Sequence, residues 1–226
     1  MNEMWLAALI WVGTHLGISS TSLRGLLVAR IGNGAYLGLY SVIATAALVY
    51  LIYLYGVVPR EVYLWLPNPD LFWVPKIVMP IAMTLIIGGF LVRNPTMVGA
   101  ALDAETAPDL ATGVTRITRH PFQWGVVLWA VSHIVVNGDV VSIIFFMSFG
   151  VLSCAGTFLM DLKKAREFGE AWREYANVTS NIPFAAIFSG KNKLRLGELI
   201  LPIVLGTVGY ALLWYFHESF TGTVVF

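Results

Sequence analysis

Charged residues and cysteines are scarce in this chain, and each scarcity excludes a class of protein. Only 12% of the 226 residues are charged, whereas 58% are hydrophobic, and the mean hydropathy is +0.75. These values are typical of a polytopic membrane protein and not of a soluble domain. The lone Cys154 excludes an internal disulfide and a cysteine-rich metal site. We therefore expect one membrane domain covering residues 1–226.

Basic tracts and buried acids are also missing. The formal net charge is +1, and the basic residues flank apolar segments, so nothing predicts nucleic-acid binding. The start, Met1–Trp5, lacks the basic region of a signal peptide, so the first apolar segment is expected to stay as a membrane helix. No Asp or Glu lies in the interior of an apolar segment, which disfavours a bare zinc or non-haem iron site.

Long apolar segments, by contrast, are abundant. Six can be read, at approximately 4–30, 36–58, 71–92, 121–137, 139–160 and 196–217. They predict an all-α integral membrane protein, a bundle of about six transmembrane helices in contact with membrane lipid. Arg24 and the polar run at 19–22 weaken the first segment. A helix that ends early and continues as an interfacial segment is the alternative there.

The basic residues predict an orientation. Of the 14 Lys and Arg residues, Arg60 stands alone on one side and Lys76 lies inside the third segment. The remaining twelve fall near the other side: Arg24, Arg30, Arg93, Arg116, Arg119, Lys163, Lys164, Arg166, Arg173, Lys191, Lys193 and Arg195. The positive-inside rule then puts both termini in the periplasm of a bacterial plasma membrane. The connections 93–120 and 161–195 are expected in the cytoplasm as interfacial helices, with an amphipathic one over 161–178.

One stretch, 119–139, contains an isolated histidine deep in an apolar helix. Pro121 suits the first helical position, so the helix is expected to begin near His120. His133 then lies roughly 20 Å along the axis, where a polar ring needs a partner. Trp129 and Asn137 lie four residues to either side and share its face.

His15 is the second histidine that helix counting places inside the bilayer. If Arg30 marks the cytoplasmic boundary, His15 lies about 22 Å from it, at nearly the depth of His133. Two histidines on different helices at one depth have the geometry of axial haem ligands. The alternative is two separate helix–helix hydrogen bonds.

Several other polar residues have two interpretations. Arg24, Arg116, Arg119 and His120 gather near the cytoplasmic boundary and could bind propionates or phosphate, or could simply anchor the helices and cap α-helical ends. Lys76 could line a cavity or extend to the interface, and the second interpretation is preferred. His217 is expected at the outer interface.

A series of short motifs resembles the NnrU family, which includes the plant and cyanobacterial 15-cis-ζ-carotene isomerases. The motifs are Thr14-His15-Leu16-Gly17, Ser22-Leu23-Arg24-Gly25, Arg93-Asn94-Pro95-Thr96, Arg119-His120-Pro121, Trp129, His133, Asn137-Gly138-Asp139 and Thr179–Ala186. The resemblance implies a helical membrane protein that holds haem b, with His15 and His133 as iron ligands. The predicted cofactor site comprises His15, His133, Arg24, Arg119, His120, Trp129 and Asn137.

The resemblance implies haem-dependent cis–trans isomerisation of a hydrophobic polyene. The isomerase pattern has a cysteine one turn before the second histidine, where this chain has Ala130. A haem-containing accessory or sensor protein in nitrogen-oxide metabolism, as in denitrification, is therefore one alternative. A membrane S-adenosylmethionine-dependent methyltransferase is another, because such enzymes resemble Arg119-His120-Pro121-Phe122 and the region from Asp161 to Glu170. Leu162 and Ile182 depart from that second pattern.

Overall fold

The computed structural model describes residues 1–19, 21–97 and 100–222, and this part is 77% helical without strands. Its α-helices are α1 Asn2–Gly13, α2 Ser22–Ile31, α3 Asn33–Val57, α4 Trp73–Leu91, α5 Pro121–Asn137, α6 Val140–Phe168, α7 Glu170–Val178, α8 Ala185–Phe188, α9 Leu196–Tyr215 and α10 His217–Thr221. A π-helical turn, Thr14–Ser19, follows α1. Ser20 of the polar run and residues 98–99 of the 93–120 connection lie outside the described residues.

The prediction of an all-α integral membrane protein is confirmed. In the described ranges, four helices are long and apolar enough to cross a membrane, namely α3, α4 with the turn before it, α6 and α9. The bent pair formed by α1 and α2 raises the count to five. The predicted span 121–137 is a helix of 17 residues, which is at the lower limit for a bilayer about 30 Å thick.

The first predicted segment, 4–30, is not one straight helix. The helix over Asn2–Ile18 and the helix over Ser22–Ile31 meet at 76°, close to the polar run that weakened the segment. Thr21 caps the second helix by accepting a hydrogen bond from the Leu23 amide. Arg30 is therefore not on the axis of α1, and the depth calculated for His15 by counting along a straight helix from Arg30 is wrong.

Local sequence explains the ends of α5 and the start of α6. Pro121 occupies the first turn of α5, as predicted, and Gly138 ends the helix with φ 69. A Cβ at Gly138 would lie 2.1 Å from the Trp65 carbonyl oxygen, so only glycine fits there. Asp139 then caps α6 by accepting a 2.8 Å hydrogen bond from the Ser142 amide.

Residues 60–66, here called the 60–66 strap, cross the turn between α5 and α6. The Leu64 amide donates to the Gly138 carbonyl at 2.9 Å, and the Val140 amide donates to the Val62 carbonyl at 2.9 Å. The Trp65 indole donates to the Val135 carbonyl at 3.0 Å. The strap therefore satisfies backbone groups that the turn leaves open.

The helices form two groups that meet at α5 and α6. Helix α1 packs against α3 and α6, whereas α4 packs against α5 and α9. Glycines allow close approach in the second group, since a Cβ at Gly206 of α9 would lie 2.6 Å from the backbone of Thr84. The core of the first group is formed by α1, α3, α5 and α6.

The connections differ from their predicted form. Helix α6 continues past the predicted end at 160 to Phe168, and Gly169 with φ 54 separates it from α7. The single amphipathic helix expected over 161–178 is therefore two helices, because glycine interrupts the backbone. The 93–120 connection contains only the short 3-10 turns Ala107–Leu110 and Gly113–Arg116 among its described residues.

Candidate functional site

His15 lies in the π-helical turn that follows α1. Its Nδ1 is 2.9 Å from the Trp11 carbonyl oxygen, one turn earlier. A carbonyl oxygen can only accept, so Nδ1 carries the proton and donates. Thr14 donates its hydroxyl to the same carbonyl at 3.0 Å. Single π-helical turns occur frequently at functional sites.

His133 of α5 has the same local setting. Its Nδ1 donates to the Trp129 carbonyl at 2.8 Å, and Ser132 donates its hydroxyl to that carbonyl at 2.9 Å. In a neutral ring, donation from Nδ1 leaves Nε2 without a proton and with its lone pair exposed. The Nε2 atom of His133 makes no hydrogen bond within the described part of the chain.

A repeated sequence pattern underlies this shared setting. Trp11-Val12-Gly13-Thr14-His15 and Trp129-Ala130-Val131-Ser132-His133 both have a tryptophan, two small or aliphatic residues, a hydroxyl residue and a histidine. In each copy the tryptophan carbonyl accepts from both the hydroxyl and the ring. The sequence interpretation missed this repeat, although it can be read directly from the chain.

Aromatic rings connect the two histidines. His15 contacts Trp11 with ring centroids 4.1 Å apart, and His133 contacts Trp129 at 5.5 Å. Both indoles contact Phe149 of α6, at 5.3 and 5.4 Å. We call the aromatic residues between and around the two histidines the aromatic cluster: Trp11, Trp129, Phe145, Phe146 and Phe149. The structure therefore brings the two predicted ligands to one aromatic region of the bundle.

Trp11 adds an unsatisfied donor to the aromatic cluster. The residue is 8% exposed, and its indole Nε1 is buried without a hydrogen-bond partner. Buried indole N–H groups normally have an acceptor. Trp129 takes part through its carbonyl and its ring, whereas the Asn137 amide donates to the His133 carbonyl at 2.7 Å and so supports the end of α5.

A separate group consists of Arg119, His120, Asp161 and Asn181, and we call it the paired cluster. The Arg119 guanidinium donates to both carboxylate oxygens of Asp161, at 2.9 and 2.8 Å. His120 Nε2 donates to Oδ1 of Asp161 at 2.6 Å, and the Asn181 amide donates to Oδ2 at 3.1 Å. Four hydrogen bonds thus converge on one carboxylate.

His120 is completely buried in this cluster, with 0% exposure. Burial lowers the pKa of His120 below the ordinary value for imidazole, while the Asp161 carboxylate acts in the opposite direction. With the proton on Nε2, the buried Nδ1 of His120 has no partner, and neither does Oδ1 of Asn181. The neutral, Nε2-protonated ring leaves only an acceptor unsatisfied, which costs less than an unpaired buried donor.

The four basic residues expected together lie in three places. Arg116 forms a bidentate pair with Glu198, with nitrogen–oxygen distances of 2.7 and 3.0 Å. Arg119 and His120 belong to the paired cluster. Arg24 lies over the ring of Tyr36, with its guanidinium carbon 5.5 Å from the ring centroid.

Two further predicted residues have simple environments. The Lys76 ammonium lies 4.8 Å from the centroid of the Trp73 ring near the start of α4. His217 begins α10. No group of three or more His, Cys, Asp or Glu side chains suited to a metal ion occurs among the described residues.

The residues that resemble membrane S-adenosylmethionine-dependent methyltransferases also lie in the paired cluster. Asp161 of that pattern meets Arg119 and His120, which start the Arg-His-Pro segment. The carboxylate is fully used by these partners and by Asn181. The arrangement therefore explains why the two segments occur together, without a carboxylate left for a ligand.

Comparisons with known proteins agree with the first resemblance. The profile of the NnrU protein family matches residues 3–225. The chain is 36% identical over 97 residues to the chloroplastic 15-cis-zeta-carotene isomerase of Zea mays, covering 42% of this chain and 26% of that protein. It is 34% identical over 95 residues to the protein of the same name from Arabidopsis thaliana, again covering 42% and 26%.

The chain matches only about a quarter of the length of these curated relatives, 26% in each case. No solved structure matches it. The family match, in contrast, covers nearly the whole chain, residues 3–225, and includes α1, α5, α6 and the segments of both clusters. The chain belongs to the NnrU family.

Proposed function

We propose that this membrane protein binds one haem b through His15 and His133 and catalyses cis–trans isomerisation of a hydrophobic polyene. The observation that carries the proposal is the shared setting of the two histidines. Each ring donates Nδ1–H to the carbonyl of the tryptophan four residues earlier, at 2.9 and 2.8 Å. This hydrogen bond from Nδ1 fixes the tautomer in which Nε2 can bind a metal.

The donor set fits haem better than a bare metal ion. Two neutral imidazoles, His15 and His133, would be sufficient to hold a haem group, whereas a structural metal ion needs about four protein ligands. The buried indole Nε1 of Trp11, which lacks a partner in this region, fits the presence of an additional acceptor. Haem b would supply redox-active iron that donates electron density to a conjugated double bond and lowers its bond order.

The protein's own contribution is an apolar environment. Phe145, Phe146 and Phe149 of α6 contact one another and Trp129, with ring centroids between 5.0 and 6.4 Å apart. Such a surface excludes water and suits a polyene, which has no hydrogen-bonding groups. The two relatives are 15-cis-zeta-carotene isomerases by name, which supports this substrate class.

Ala130 favours a second candidate, a haem accessory or sensor protein in nitrogen-oxide metabolism. Ala130 is completely buried, with 0% exposure, and it occupies the position where the isomerase pattern has a cysteine. A methyl group provides no sulfur for ligand exchange. Incubation with 15-cis-ζ-carotene, followed by analysis of the product isomers, distinguishes the two candidates. The isomerase should change the isomer composition. The accessory or sensor protein should show a spectral response to nitric oxide without isomerisation.

An absorption spectrum of the purified protein tests haem binding. We expect a six-coordinate low-spin haem b spectrum, because two imidazoles bind the iron. His15→Ala and His133→Ala should each convert it to a high-spin spectrum or release the haem. His217→Ala is the matched control and should retain the low-spin spectrum. A colourless protein, or low-spin haem in both single variants, would contradict the ligand assignment.

The proposed location is a bacterial plasma membrane with both termini in the periplasm. The support is the uneven distribution of Lys and Arg residues. Twelve of them fall near the side predicted to be cytoplasmic, whereas Arg60 stands alone on the other side. A reporter fused after the last residue should be active in the periplasm, and one inserted near Lys191 should be active in the cytoplasm. A cytoplasmic C-terminal reporter would contradict this orientation.

A further inference from the structure

Three of the four basic residues expected near the cofactor have carboxylate partners, since His120 shares Asp161 with Arg119. Arg116 is bound in a bidentate manner by Glu198, and Arg119 by Asp161. A guanidinium that already donates two hydrogen bonds to a carboxylate is poorly suited to bind another anion. If the cofactor has anionic groups, other residues must bind them.

Arg24 differs from both of these arginines. Its contacts in the described structure are a long, 3.5 Å hydrogen bond to the Asn33 side-chain oxygen and the stacking of its guanidinium over the Tyr36 ring. Neither contact neutralises its charge. Arg24 therefore retains donors and a full positive charge for an anion.

Lys163 of α6 supplies a second cation beside Arg24. The two charges are close enough to repel each other. The neighbouring acid, Glu167, forms its ion pair with Lys164 at 3.2 Å, and its charge also acts on Lys163. The positive charge of Lys163 adds to that of Arg24 in attracting an anion.

Tyr36 provides an independent indication of a ligand. The residue is 3% exposed, and its hydroxyl is buried without a hydrogen-bond partner. A buried hydroxyl normally has a partner, so this one is available to donate to an acceptor. The ring under Arg24 thus belongs to a residue with an unsatisfied donor.

Ring contacts connect this place to His15. The Tyr36 ring stacks on Tyr40 with centroids 5.8 Å apart, and Tyr40 meets the His15 ring edge-on at 5.8 Å. Arg24, the unsatisfied hydroxyl of Tyr36 and the proposed iron ligand His15 therefore lie in one continuous region between α2, α3 and the π-helical turn. No comparable chain of contacts links His133 to Arg119 in the described structure.

We infer that Arg24, Lys163 and the Tyr36 hydroxyl form a carboxylate-binding site that receives the propionate groups of the haem. This inference rests on the proposed haem binding and adds the residues that orient the cofactor. Two cations and one neutral donor match the charge and the acceptor atoms of two propionates. The alternative source of the same chemistry is the phosphate of a membrane lipid.

The test compares haem b with its iron protoporphyrin dimethyl ester, in which both carboxylates are esterified. Each is titrated into the full-length apoprotein in detergent, and Kd is obtained from the Soret band. We expect the wild type to prefer haem b roughly tenfold or more, since charge-assisted hydrogen bonds are lost with the ester. Arg24→Gln and Lys163→Gln should weaken haem b binding and leave ester binding unchanged, and Tyr36→Phe should act in the same direction.

Matched controls are Arg30→Gln on α2 and Arg166→Gln on α6, which should retain the wild-type preference for haem b. A low-spin spectrum with an unchanged preference in Arg24→Gln and Lys163→Gln overturns this inference and leaves the proposed function intact. Loss of co-purified anionic phospholipid in these variants, with the haem preference unchanged, assigns the site to lipid phosphate instead. A wild type that binds neither porphyrin removes the proposed function together with this site.

Discussion

The paired cluster and the aromatic cluster lie on the same helices, α5 and α6, but their polar atoms have different environments. In the paired cluster, Asp161 accepts four hydrogen bonds from three side chains. In the aromatic cluster, the Trp11 indole has no acceptor, and His133 Nε2 has no partner in the described structure. Within the described ranges, the paired cluster leaves only the acceptors His120 Nδ1 and Asn181 Oδ1 without a partner, whereas the aromatic cluster leaves a buried donor, the Trp11 indole, which costs more free energy. The comparison favours a structural role for the paired cluster and is consistent with the binding site proposed at the aromatic cluster.

Removal of Asp161 should have the largest effect on stability. Asp161→Ala leaves the Arg119 charge and the His120 ring buried without their carboxylate, so we expect a loss of about 3–5 kcal/mol in the free energy of unfolding. Unfolding of the purified protein in mixed micelles measures it. The control is Glu170→Ala, which removes an exposed ion pair with Arg173 and should leave stability unchanged. Equal effects of the two substitutions would show that the paired cluster contributes no more than a surface pair.

Protonation of His120 should have a smaller effect, which should appear as a pH dependence of the free energy of unfolding. Because burial lowers the pKa of His120, the unfolded chain binds a proton more readily than the folded chain as the pH falls below about 6.5. Stability should therefore be retained above pH 6.5 and decrease as the pH falls from there toward 5. His120→Gln should flatten this part of the profile in unfolding titrations. An equally steep profile in the variant would assign the dependence to another group.

Much of the fold follows from local sequence, because its signals are short-range. Pro121 starts α5 and Gly138 ends it, as their backbone preferences predict. The bend after α1 could be expected only as an alternative, because the polar run at 19–22 weakens a helix without specifying an angle. The extension of α6 to Phe168 was missed, since charged residues after 160 end an apolar segment but not a helix.

The candidate site was only partly accessible from sequence. His15 and His133 are conspicuous polar residues in apolar helices, and their repeated tryptophan and hydroxyl neighbours are visible in the chain. The sequence placed Arg24 and Arg119 at one boundary without showing which side chains each of them contacts. Which of them is neutralised depends on Asp161 and Glu198, which lie 42 and 82 residues away from Arg119 and Arg116 in sequence.

The position of Asp161 on α6 also sets the axial register between the two helices. Helix α6 continues without interruption from Val140 to Phe168, so Asp161 is rigidly connected to Phe149, about 18 Å away along the axis. His120 begins the helix that carries His133. A slip of α5 by one residue against α6 would shift His133 by about 1.5 Å and turn it by about 100°, away from Phe146. The bonds to Asp161 prevent that slip, so a contact at one end of the bundle maintains the alignment of the rings near the other.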